Sequence, residues 1–174
     1  MNYNLLFFSG IQLPPTISCE PTTDPANTMI LLAILFGSLL FFRLLGFAGV
    51  SAFSTWHESL AFGFAALFCF TGAAHFARQR VDLEKMIPPW VPYARQVVFV
   101  TGILEILGAI GLLIPTTRWL AGVCLIGLLV AIFPANVHAS MTGVTINNRP
   151  LTQIWIRTPI QILLIILLFW LIHS

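Results

Sequence analysis

Apolar runs of membrane-crossing length recur along the chain, and the polar residues between them are few and grouped. Met29 to Phe47 is nearly all Leu, Ile and Phe, and further runs cover Trp56 to about Ala77, Val97 to Ile114, Trp119 to about Asn136, and Ile154 to Ile172. Each is close to the ~20 residues that an α-helix needs to cross a bilayer core. The pattern predicts an all-α polytopic bundle of five spans, forming one domain over residues 29–174. Residues 1–28 precede it, with an apolar patch at Leu5 to Phe8 and a Pro- and Thr-rich stretch from Pro14 to Thr28. They lack the basic start and long apolar core of a secretory signal, so they read as an irregular or interfacial tail. An alternative reading makes Met29 the biological start, because the first span opens there.

The connections carry their own signals. Arg43 lies one turn from the end of the first span, where a guanidinium snorkels to the headgroups. Thr55-Trp56-His57-Glu58 has the form of a capping box opening the second span, with His57 and Glu58 solvated at its wet end. Arg78 to Gln96 is the most charged stretch, and Met86 to Tyr93 within it cannot be regular helix because its prolines remove amide donors. Apolar and aromatic, it suits the membrane interface, either as a lid built on Pro88, Pro89, Trp90 and Pro92 or as a plain anchor. Ile114-Pro115 ends the third span, and a turn through Thr116 and Thr117 leads to Arg118 and the fourth. Pro134 frees a carbonyl near Val130, residues 139–153 form a polar loop, and Arg157 and Gln161 share a face of the last span, four residues apart.

Composition sharpens this picture. With 58% hydrophobic residues, 8% charged residues and a mean hydropathy of +0.94, the chain is excluded from the soluble class. Its partner is therefore the lipid bilayer. The net charge of +2 rests on so few residues that it says little about binding partners, and no nucleic-acid patch, phosphate loop or nucleophile elbow is present. His57, His75, His138 and His173 have no zinc-site spacing, and no metal or haem site is legible. Cys19, Cys69 and Cys124 lack a CxxC spacing and read as inert, buried thiols.

Glu105 is the one acid in the interior of a lipid-length apolar run, Glu58 lying at the wet start of the second. A carboxylate at that depth costs a few kcal/mol unless it is paired, hydrogen-bonded or protonated. Thr101, Gly102, Gly108 and Ala109 flank it on the helix surface, and small faces are where membrane helices press together. Glu105 is thus expected to point into a bundle, about 12 Å below the surface at which the third span starts. Alternating spans place His75, Asn136, Arg157 and Gln161 in the same half of the bilayer, with almost nothing polar in the other half. A shared pocket would pair Arg157 with Glu105, use Asn136 and Gln161 as amide donors, and set His75 beside them as a titratable neighbour. Two readings stand: a structural plug fastening four helices, or a ligand or proton site. Arg78, Arg80, Lys85, Arg95, Arg149 and Arg157 lie on the pocket's side, against Arg43 and Arg118 on the other. The positive-inside rule then puts the N-terminus and the pocket in the cytoplasm and the C-terminus outside.

From about Ala61 to Trp170 the chain resembles the DoxX-like family of small membrane proteins. The likeness is carried by His75-Phe76, the Ile87-to-Pro92 segment, Gly102 to Gly108 around Glu105, and Gly111 to Pro115 with Arg118. Phe133 to Asn136, then Arg157 with Pro159 and Gln161, complete it. The resemblance implies a four-helix core in the bacterial cytoplasmic membrane, with Met29 to Phe47 as an additional N-terminal helix. It also implies redox metabolism: one branch is similar to a subunit of a thiosulfate–quinone oxidoreductase, others accompany redox-stress proteins, and a distant animal relative looks like an assembly chaperone. Relatives linked to disulfide chemistry use paired cysteines, which this chain lacks. No cofactor is evident, although an auxiliary redox subunit would admit a quinone. The alternatives are a non-enzymatic assembly partner of another membrane or redox protein and, more weakly, a small-solute transporter. The oligomeric state is left open.

Overall fold

The computed structural model describes residues 26–143, 145–146, 149–150 and 154–173. The expected tail up to residue 25, with Cys19, and the Asn147 and Asn148 part of the polar loop lie outside the described residues. Six helices follow in order: α1 (Ala26–Phe47), α2 (Trp56–Ala74), α3 (Arg80–Met86), α4 (Ala94–Leu113), α5 (Pro115–Thr142) and α6 (Ile154–His173). Between α5 and α6, β1 (Thr145–Ile146) and β2 (Arg149–Pro150) pair antiparallel, with Thr145 opposite Pro150.

Four of these helices, α1 from Met29, α4, α5 and α6, are long and apolar enough to cross a membrane. Helix α2 has 19 residues, but its first turn carries His57 and Glu58, which keep it out of that set. Packing follows the chain: α1 lies mainly against α2, α2 against α4, α4 against α5 and α5 against α6, with a lighter contact from α6 back to α2. The core is built from Leu35 of α1, Phe64 and Phe68 of α2, Leu112 of α4, Leu125 of α5 and Leu168 of α6. Outward faces are also apolar, as at Phe41, Leu44, Leu107, Leu120 and Ile166, all more than half exposed. An apolar outside around an apolar inside is the distribution of a bundle solvated by lipid.

Several boundaries differ from expectation. Helix α2 stops at Ala74, with His75 as its C-cap, rather than near Ala77. Within the charged stretch Arg80–Met86 coils into α3, an element the sequence reading does not predict, held by Arg80–Glu84 and Lys85–Asp82 ion pairs of 3.1 and 3.0 Å. Helix α4 begins at Ala94, three residues early, after Tyr93 adopts a left-handed conformation with φ 61°. The turn expected at Thr116 and Thr117 does not form. Pro115 instead opens α5 directly, because a proline at the first helical position gives up an amide that would have no partner there. Helix α5 also runs six residues past Asn136, so the first part of the expected polar loop is helical.

Candidate functional site

Helices α2 and α4 meet through glycine. A Cβ on Gly102 would lie 2.5 Å from the Cβ of His75, and one on Gly72 would lie 2.8 Å from Ile106. Only glycine allows that approach, and it sets His75 and Thr71 of α2 directly against α4. Glu105 is turned into this contact and is 6% exposed. Thr71 Oγ1 donates to Glu105 Oε2 at 2.6 Å, and His75 Nε2 faces Glu105 Oε1 at 3.6 Å.

The other ring nitrogen decides the protonation of this pair. His75 Nδ1 lies 2.8 Å from the carbonyl oxygen of Val98, which can only accept, so Nδ1 carries a hydrogen. Thr101 Oγ1 stands 3.2 Å from Nδ1 and donates to the same carbonyl at 3.0 Å. Nε2 therefore faces the carboxyl with either a lone pair or a second proton. A neutral imidazole opposite an ionised carboxylate would set lone pair against lone pair. The favourable states place one proton between the two groups, as imidazolium with carboxylate or as imidazole with carboxylic acid. Both are neutral as a pair, which suits a site withdrawn from water.

The remaining expected residues form a second, separate chain of bonds between α5 and α6. Arg157 Nη2 donates to Asn136 Oδ1 at 2.7 Å, Asn136 Nδ2 donates to Gln161 Oε1 at 3.2 Å, and Gln161 Nε2 donates to the carbonyl of Leu129. The expected ion pair of Arg157 with Glu105 is replaced: the acid is met by α2, the guanidinium by α5. Neighbouring helices satisfy each group at its own interface before a longer reach is needed. Pro134 leaves the carbonyl of Val130 without its helical donor, while Gln161 binds the carbonyl one residue earlier, at Leu129. His138 Nδ1 lies 3.2 Å from the carbonyl of Met86, and its ring stands edge-on to Trp90 at 6.1 Å. Of the expected lid, Pro88 is buried while Pro89, Trp90 and Pro92 are exposed, Trp90 by 73%.

At the opposite end the structure corrects the expectation of an almost apolar half. Arg118 is 8% exposed and forms a two-pronged pair with Glu58, Nη1 to Oε1 at 3.1 Å and Nη2 to Oε2 at 3.0 Å. Its Nε donates to the carbonyl of Leu112 at 2.9 Å, in the last turn of α4. His57 Nε2 donates to the carbonyl of Leu171 at 2.6 Å, which leaves Nδ1 to accept from Arg118 at 3.2 Å. His57 and Glu58 are thus engaged rather than solvated, and the Glu58 carboxylate turns to Arg118 although Thr55 still caps its amide. Arg43 does not snorkel freely either: Nη1 bonds the carbonyls of Phe53 and Ser54, and the guanidinium lies over the rings of Phe47 and Trp56. Cys69 and Cys124 are unpaired and exposed on the outside of the bundle, not buried.

Thr71 is the functional-site residue that the sequence reading missed. Its signal was present, since it lies four residues before His75 and so on the same helix face. Among the described residues, no three His, Cys, Asp or Glu side chains gather into a metal-holding set.

Residues 64–172 match the family described as Domain of unknown function (DUF8561), and the chain belongs to that family. No curated protein and no solved structure matches it.

Proposed function

We propose that this chain is a DoxX-like integral membrane protein that serves as an auxiliary, quinone-linked subunit of membrane redox metabolism. In this reading α2, α4, α5 and α6 form the family core and span the bacterial cytoplasmic membrane, and α1 is an added N-terminal span. The observation that carries the reading is the His75–Glu105 pair, with Nε2 at 3.6 Å from the buried carboxyl and Nδ1 held by the Val98 carbonyl; in this reading the two groups share one transferable proton. A quinone takes up protons together with electrons on reduction. The electrons would come from a partner redox protein and the protons through this pair, with Thr71 and Thr101 holding it in register. Arg157 and Gln161, occupied with Asn136 and Leu129, are not needed for that step.

Mild extraction followed by analysis of bound apolar carriers tests this. Quinone should accompany the native chain and be lost from Glu105→Gln, which keeps an acceptor for Thr71 but cannot exchange the proton. A native preparation free of any such carrier counts decisively against it.

A second reading, a non-enzymatic assembly partner with a structural polar cluster, is favoured by one observation: both Glu105 oxygens are already met within the chain, by Thr71 and His75. A fixed membrane partner that still co-purifies with Glu105→Gln would select it.

The same proposal places the His75 end in the cytoplasm. Exposed Arg78 and Arg95 lie there with Lys85, whereas at the other end Arg43 and Arg118 are held by carbonyls and by Glu58.

A further inference from the structure

We propose that the cleft between α5 and α6 holds one anionic phospholipid, its phosphate met by Arg157 and one acyl chain lying along Val130, Phe133, Ile162 and Ile165. Two independent observations converge there. The first is an unbalanced cation. Arg157 Nη1 is buried with no hydrogen-bond partner among the described residues, and Nη2 has only the neutral oxygen of Asn136. No Asp or Glu follows Glu105 in the sequence, so α5 and α6 contain no carboxylate at all. The four acids of the described residues, Glu58, Asp82, Glu84 and Glu105, already face Arg118, Lys85, Arg80 and His75. Among the described residues, then, no acid stands opposite Arg157.

The second is shape. Val130 and Phe133 of α5 and Thr158, Gln161, Ile162 and Ile165 of α6 line an open cleft of about 250 Å³ with almost wholly apolar walls. Arg157 does not line the cleft itself, but it precedes the lining residue Thr158 near the start of α6 and reaches the lining residue Gln161 through Asn136, so charge stands beside the headgroup end and apolar walls run inward from it. That is the order of a phospholipid. Arg157 as a whole is half-buried, and a rotation of its long side chain carries the guanidinium to a phosphate at the interface. A zwitterionic lipid brings its own cation and gains less from this site than an anionic one. The inference uses neither His75 nor Glu105 and stands apart from the proton reading.

The test is native mass spectrometry of the purified chain in detergent, titrated separately with phosphatidylglycerol, phosphatidylcholine and inorganic phosphate. Phosphatidylglycerol should be retained about tenfold more strongly than phosphatidylcholine, as expected for a charge-assisted hydrogen bond. That preference should disappear in Arg157→Gln and persist in Arg157→Lys, which keeps the charge and reports on folding. Ile162→Trp, which fills the cleft and leaves the charge, should lower retention of both lipids. Equal retention of the two lipids, an unchanged preference in Arg157→Gln, or displacement of bound lipid by inorganic phosphate alone would each overturn the proposal.

Discussion

Thr71, His75 and Glu105 act as one unit because each fixes what the next can do. The Val98 carbonyl dictates the proton on His75 Nδ1, this turns Nε2 toward the acid, and Thr71 occupies the second carboxyl oxygen. Thr71→Val keeps the side-chain shape but removes the donor, leaving a buried acid short of one bond. The expected cost is about 1–3 kcal/mol, read as a lower unfolding temperature in detergent. The same substitution made in a Glu105→Ala background should cost much less. An equal cost in both backgrounds would mean that the hydroxyl matters for some reason other than the acid. His75 was legible as a candidate from its position after a small-residue stretch. Its proton could not be read, since that depends on a backbone carbonyl of another helix.

Among the elements, α4 and α6 are tied off by side chains from their neighbours. Arg118 takes the Leu112 carbonyl in the last turn of α4, and His57 takes the Leu171 carbonyl in the last turn of α6. A cation or a ring donor at a helix C-terminus satisfies carbonyls that have no partner within the helix, and complements the helix dipole. Arg118→Ala removes the cation from Glu58 and the donor from Leu112 together. Because the Glu58 side chain is 34% exposed, solvent softens the loss, and about 2 kcal/mol is expected. Arg118→Lys should recover only part of it, since an ammonium cannot make the two-pronged contact. Full recovery by lysine would show that charge alone holds this end. The residues of this cluster were all visible in the sequence, at the start of α2 and just after Pro115. The sequence reading leaves His57 and Glu58 solvated because it judges each on its own helix, whereas their partners come from adjacent ones.

For the whole molecule, the distribution of apolar surface makes predictions that charge counting alone does not. Cys69 and Cys124 lie on the outside of the bundle, on apolar helices. In membranes of a Cys19→Ser variant, a lipid-soluble maleimide should label both, and a membrane-impermeant one should label neither until detergent is added. Rapid labelling of both by the impermeant reagent in intact membranes would contradict a lipid-facing surface. Lys85 is the single lysine of the chain and its side chain is 59% exposed, so it reports orientation. An impermeant amine reagent should modify the Lys85 peptide in inside-out vesicles and spare it in sealed right-side-out ones. The reverse pattern would invert the proposed topology.

What the sequence determined by itself is what depends on composition and spacing. The apolar runs specify long helices, and the proline-rich stretch at Ile87 to Pro92 specifies a break between them. The small residues around Glu105 specify a face that another helix can approach. What only the tertiary structure decided is which group answers which. The partner of a side chain depends on how each helix is rotated about its axis and which helix lies beside it, and one residue of rotation turns a face by about a quarter of a circle. That is why Glu105 could be assigned to the interior from its neighbours in sequence, while its pairing with His75 and Thr71 rather than Arg157 followed from the close contact of α2 with α4.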